Sequence, residues 1–120
     1  MYLIVDDSKI ARKMTLKNLS LLTHEKVEII EGQNGLEAIE LYKTHHPIIT
    51  FMDLTMPIMD GFEAIEEICK YDPKAKIIVI SADIQELSMK KAKDAGAIGF
   101  IKKPVSQESL ESMLTKLGLL

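Results

Sequence analysis

The chain has 120 residues, enough for one domain with its own core, and its 47% hydrophobic and 28% charged residues are those of an ordinary globular protein. A net charge of −3 excludes the basic footprint that nucleic acid or an anionic membrane surface would select. A lone cysteine, Cys69, excludes an internal disulfide and suits the cytoplasm, while the apolar start at residues 1–5, cut off by Asp6 and Asp7, is too short for a leader or a membrane span.

Tyr2 to Val5 form an apolar run closed by Asp6-Asp7 and Ser8, which parses as strand, acidic tip and helix cap. Ile10, Ala11, Met14 and Leu19 then recur near a helical period, with Arg12, Lys13, Lys17 and Asn18 between them, and predict a first amphipathic helix. Val27, Ile29 and Ile30 predict a second strand. Gly32 to Gly35 make a turn, and Leu36, Ala38, Ile39 and Tyr42 trace a second helix that ends before Pro47. Ile48 to Met52 are a continuous apolar run bounded by His46-Pro47 and Met56-Pro57, the pattern of a strand buried on both faces, and Asp53 stands at its carboxyl end.

Phe62, Ala64, Ile65 and Ile68 predict a third helix ending near Asp72-Pro73, and Ile77 to Ile80 a fourth strand closed by Ser81. A more polar helix is expected from about Ile84 to Ala95, stopped by Gly96, with a weak apolar stripe of Leu87, Met89 and Ala92. Ile98 to Ile101 predict a short fifth strand closed by Lys102-Lys103-Pro104. Ser106 caps a last helix carrying Leu110, Met113, Leu114 and Leu117, with Glu108 as the expected capping-box partner. Regular strand–helix alternation without a linker or repeat implies one α/β domain over residues 1–120, with helices on both faces of a parallel sheet. Five strands are too few for the eight-stranded barrel, so a doubly wound, flavodoxin-like (βα)5 sheet is expected.

The functional edge of such a sheet lies beyond the carboxyl ends of its strands. Asp6 and Asp7, Asp53, Ser81 and Lys103 follow strands one, three, four and five. Two carboxylates about 5 Å apart repel by roughly 3 kcal/mol at an effective dielectric near 20. A divalent cation relieves that repulsion, and an all-oxygen set without His or Cys suits Mg²⁺. One acid suffices to cap a helix start; the second, with Asp53, points to a metal site. An aspartate beside Mg²⁺ and a lysine can attack a phosphoryl group, with Lys103 offsetting charge on the transferring oxygens and Ser81 donating to one of them.

These residues lie in IVDDS (4–8), MDLTMPIMDG (52–61), ISAD (80–83) and GFIKKP (99–104), and the chain resembles over its whole length the receiver domain of two-component response regulators, most of all the single-domain chemotaxis type. The resemblance implies that Asp53 receives phosphate from a histidine kinase or phosphotransfer protein. It implies that Asp6, Asp7, Asp53 and the backbone carbonyl of Thr55 hold Mg²⁺, with Mn²⁺ as a substitute. It makes Ser81 and Phe100 a switch pair and the fourth helix, fifth strand and fifth helix an output face for a downstream protein target or phosphatase. A cytoplasmic monomer, acting as a signalling switch and not as an enzyme on other substrates, follows from it. Three positions differ from the common family pattern: Thr55 is often asparagine, Asp83 often glutamate and Phe100 often tyrosine. The first two border the path of the hydrolytic water.

The enzyme-class alternative is a haloacid-dehalogenase-like phosphohydrolase, which would want a general acid two residues after Asp53, where Thr55 stands. His45-His46, at a helix end before a proline, make a poor metal pair, Cys69 reads as a small core residue, and Met56 and Met59 read as loop packing.

Overall fold

The computed structural model describes residues 1–23 and 27–120. Among the described residues, ten elements alternate in chain order: β1 (Tyr2–Val5), α1 (Lys9–Leu22), β2 (Ile29–Gly32), α2 (Gly35–His45), β3 (Ile49–Met52), α3 (Gly61–Tyr71), β4 (Ile77–Ser81), α4 (Glu86–Ala95), β5 (Gly99–Lys102) and α5 (Gln107–Lys116). The five strands pair in parallel in the order β2-β1-β3-β4-β5, which is the doubly wound sheet expected from the alternation. The chain starts near the middle of the sheet, winds outward to β2, and returns past β1 to build the other half.

Period-two alternation divides the strand side chains between two cores. Leu3, Val5, Met52, Ile77 and Val79 pack with Ala38 and Tyr42 of α2, Ala64, Ile65 and Ile68 of α3, and Ala92 of α4. Tyr2, Ile4, Ile49, Phe51, Ile78, Ile80 and Ile101 pack against Leu19 of α1 and Leu110 and Leu114 of α5. Burial on both faces explains why β1, β3 and β4 read as largely apolar runs, whereas the edge strands β2 and β5 carry exposed Glu31 and Lys102. Side-chain caps fix the helix starts: Ser8 accepts from the Ala11 amide, Asn34 from Glu37 and Asp60 from Glu63.

The structure corrects the sequence reading in several places. Helix α1 buries Arg12, Thr15 and Leu19, whereas Ile10 is 76% exposed and Met14 also faces outward. The inward stripe is therefore rotated from the one the apolar residues drew, because Arg12 finds a buried acceptor in the Asp6 carbonyl and a second acceptor in Glu31. Strand β2 begins at Ile29, not Val27, and Ile48 and Ile98 lie exposed just before β3 and β5. Helix α4 starts at Glu86 after an extended Gln85, not at Ile84. The capping-box partner of Ser106 is Ser109, at the third helical position; Glu108 sits one residue too early for that geometry. Cys69 is only half-buried, with Gly96 packed against it. Met56 is buried and Met59 packs on the same core, while His46 stacks on Tyr71 with ring centroids 5.9 Å apart.

Among the described residues, one buried side-chain polar group lacks a partner. Thr50, in the middle of β3, is 0% exposed, and its Oγ1 has no hydrogen-bond partner among the described residues. A buried hydroxyl left unpaired costs about 1–3 kcal/mol. Thr50→Val, nearly the same shape, is therefore expected to raise stability by about 1 kcal/mol, read as a higher urea midpoint at an unchanged slope.

Candidate functional site

The parallel sheet sends its strand ends to one edge, and there the acidic residues meet. Asp6, at the tip of β1, is 5% exposed; its amide donates to the Gly32 carbonyl at 3.1 Å, and its Oδ1 accepts from the Ser8 amide at 2.9 Å. Asp53, at the tip of β3, donates its amide to the Val5 carbonyl at 2.9 Å, which extends the β1–β3 ladder into the loop. Its Oδ1 accepts from the Leu54 amide at 2.9 Å, so Oδ2 is the oxygen left facing the site. Asp7 is exposed beside them, and one carboxylate oxygen from each of Asp6, Asp7 and Asp53 lies within 4.8 Å of the others.

Lys103 enters from the loop after β5. Its Nζ lies 2.7 Å from Asp6 Oδ2 and 3.5 Å from Asp53 Oδ2. Its amide donates to the Ser81 carbonyl at 2.9 Å, which ties the β5 loop to the end of β4, and its bond to Pro104 is cis. Ser81 is buried at the same edge, where its Oγ accepts from the Asp83 amide at 3.0 Å. The carboxylate of Asp83 in turn accepts from the Gln85 amide and from Ser88 Oγ on α4.

Thr55 is exposed in the loop after Asp53. Phe100 stands back from the cluster: it pairs with Val79, two residues before Ser81, and is half-buried against the α2–α3–α4 core. The β3–α3 loop turns sharply at Ile58, which has a positive φ of 69° between the Pro57 carbonyl and the Met59 amide. That turn lets Met59 return a carbonyl to the Gly35 amide at 2.9 Å, so the loop is bonded to the start of α2.

Electrostatics follow from this packing. Burial pushes the Asp53 carboxyl above its ordinary value; the neighbouring Asp6 adds to the push, and Lys103 opposes it. Burial alone would lower the Lys103 ammonium, but its bond to Asp6 and the charge of Asp53 outweigh that and hold it above the usual lysine range. Three carboxylates and one ammonium leave two negative charges, the charge that one divalent cation balances. The donor set is hard oxygen throughout, without imidazole or thiolate, and it fits Mg²⁺ better than zinc.

Arg12 and Gly61 belong to this site and were not singled out for it by the sequence. Arg12 is buried under the β1 tip with Nη1 2.6 Å from the Asp6 carbonyl oxygen. Gly61, the first residue of α3, lies directly against the Asp53 carbonyl. The signal for Arg12 was available: it stands three and seven positions before Thr15 and Leu19, on the stripe that α1 buries.

Comparison with known proteins identifies the family. A model of the response regulator receiver domain matches residues 2–115. Among characterised relatives, the chemotaxis protein CheY of Thermotoga maritima is 46% identical over 97% of this chain and 95% of its own length. That of Halobacterium salinarum is 44% identical over 90% and 88%. Among solved structures, the CheX–CheY–BeF3–Mg²⁺ complex from Borrelia burgdorferi superposes with a TM-score of 0.89 at 32% identity, covering 99% of this chain and 89% of that one. The chain belongs to the response regulator receiver domain family, the phosphorelay switches of two-component signalling. The phosphohydrolase alternative has no support from these comparisons, and exposed Thr55 offers no carboxyl for its general acid.

Proposed function

We propose that residues 1–120 form a receiver domain in which Asp53 accepts a phosphoryl group from a histidine kinase or phosphotransfer protein. The observation that carries this reading is the Lys103 ammonium lying between Asp6 and Asp53, with Asp7 beside them. Asp53 Oδ2, free of the backbone bond that engages Oδ1, attacks phosphorus; the bond from phosphorus to the donor's imidazole nitrogen breaks, and the electron pair leaves with the imidazole. Asp6, Asp7, Asp53 and the Thr55 carbonyl would hold Mg²⁺, or Mn²⁺ in its place, and the bound ion supplies charge stabilisation for the phosphoryl oxygens. Lys103 neutralises the growing charge from the other side, and Ser81 keeps its hydroxyl proton to donate to a phosphoryl oxygen.

The donor protein needs a surface beside Asp53. An apolar groove lined by Ile10, Ala11, Met14, Pro104 and Val105 opens next to Lys103, and the exposed Ile10 and Met14 of α1 suit a helix carrying the phosphorylated histidine. After phosphorylation, Ser81 and Phe100 act as the switch pair, and α4, β5 and α5 form the face that changes for a downstream target or phosphatase. The CheY relatives support a role in chemotaxis, and the CheX-bound neighbour supports protein partners and a divalent cation. No helix among the described residues is long and apolar enough to cross a membrane. The switch is read as a monomer working in the cytoplasm, as its chemotaxis relatives suggest.

Incubation with Mg²⁺ and acetyl phosphate is expected to add one phosphoryl group, read by intact mass. An unmodified mass under conditions that label a control receiver, or steady turnover of phosphate monoesters at ordinary enzyme rates of about 1–10³ per second, would overturn the reading.

A further inference from the structure

We propose that Arg12 is a positioning residue for the cation site, holding the Asp6–Asp7 peptide so that both carboxylates present to one divalent ion. The inference rests on the reading of Asp6, Asp7 and Asp53 as ligands. Arg12 is 8% exposed, although it lies on a helix whose other cations face outward. Its Nη1 donates to the Asp6 carbonyl at 2.6 Å in a buried bond, and its Nε donates to Glu31 Oε1 at 3.1 Å on β2. One planar guanidinium therefore ties α1, the β1 tip and β2 together, and a fork with several donors in fixed directions is needed to span two acceptors in this way.

The Asp6 carbonyl belongs to the peptide that joins the two acids, so its direction sets where both side chains begin. The chain on either side of that peptide is held by the Asp6 amide, which donates to Gly32, and by Asp6 Oδ1, which accepts from the Ser8 amide; the guanidinium is what holds the peptide's own carbonyl. Without Arg12 the carbonyl loses its buried donor and can turn toward water, taking exposed Asp7 with it. Residues that orient metal ligands from behind typically govern affinity by about 10- to 100-fold.

The sign of the effect separates this role from its competitors. A positive charge near a dication repels it, so if Arg12 acted through charge alone its removal would tighten binding. If Arg12 served stability alone, the folded variant would bind as the parent does. Positioning requires weaker binding.

Mn²⁺ binding to the full chain, titrated by electron paramagnetic resonance with Mg²⁺ competition, tests this for the parent, Arg12→Met, Arg12→Lys and Asp7→Asn, at a temperature where circular dichroism shows each folded. The expected result is Mn²⁺ affinity about tenfold or more weaker in Arg12→Met, with Arg12→Lys, which keeps the charge but reaches one acceptor, in between. Should Arg12→Met not fold, Arg12→Lys decides, with weakening of about threefold or more expected. Parent-like or tighter binding in the folded variants overturns the proposal. A parent that binds no Mn²⁺, or an Asp7→Asn variant that binds as the parent does, overturns the ligand reading itself and is distinguishable from the first failure.

Discussion

Asp53→Asn is expected to abolish phosphoryl labelling in Mg²⁺ and, with a chelator present, to make the protein more stable by on the order of 1 kcal/mol at pH 8. Loss of labelling follows from chemistry: an amide oxygen is a far weaker nucleophile than a carboxylate, and intact mass with acetyl phosphate reads it directly. The gain in stability follows from the packing. Asp53 is 6% exposed and shares its crevice with Asp6, so the metal-free fold holds like charges close together, and Lys103 leans toward Asp6, at 2.7 Å against 3.5 Å for Asp53.

The pH dependence has a definite direction. Folding raises the Asp53 pKa, so the folded state holds that proton more tightly than the unfolded chain. Its contribution to stability therefore falls as pH rises from the ordinary carboxylate range through the raised value, and above that the full penalty stands. The stability advantage of Asp53→Asn should grow across that window and then level off, as measured by urea unfolding at a series of pH values in chelator. Unchanged labelling would move the acceptor elsewhere. A variant less stable than the parent at pH 8 would show that Lys103 outweighs Asp6.

Gly61→Ala is expected to cost about 3 kcal/mol and to lower the melting temperature by roughly 10 °C. A β-carbon at this position would run into the Asp53 carbonyl oxygen and would lie 2.9 Å from Leu54 Cα and 3.0 Å from the Asp53 carbonyl carbon. These are backbone atoms, so no rotamer can yield; either α3 lifts from the sheet or the tip of β3 moves. The Gly61 amide also donates to the Leu54 carbonyl at 2.9 Å, a bond that either movement strains. Since the displaced atoms include those of the proposed acceptor, labelling by acetyl phosphate should slow in the fraction that remains folded. The chain has no tryptophan, so far-ultraviolet circular dichroism in urea is the natural readout, and a midpoint equal to the parent's would refute the steric argument.

What could be read in the sequence was whatever follows from a strand buried on both faces. Ile48 to Met52 and Ile77 to Ile80 announced themselves as apolar runs with breakers, and alternation with helices then placed Asp6, Asp53, Ser81 and Lys103 at one edge. What could not be read was burial decided by a hydrogen bond instead of by hydrophobicity. Arg12 looks solvated until the carbonyl it serves is seen, and Ile10 looks like core until it is found beside the groove next to Lys103. Gly61 carries no signal of its own in the sequence, because its constraint comes from a backbone eight positions earlier. The shift from Glu108 to Ser109 shows that cap chemistry is set by position along the turn more than by residue type.

The strand order has a further consequence. β3 is the central strand, bonded to β1 and β4, so Asp53 rises from the middle of the sheet. Ser81 and Phe100, the proposed switch pair, ride on β4 and β5, and Lys103 on the segment just beyond, all toward one margin. A binder gripping the β2 margin should therefore meet the same surface before and after phosphorylation, and only one reaching the β5 margin could tell the two conditions apart.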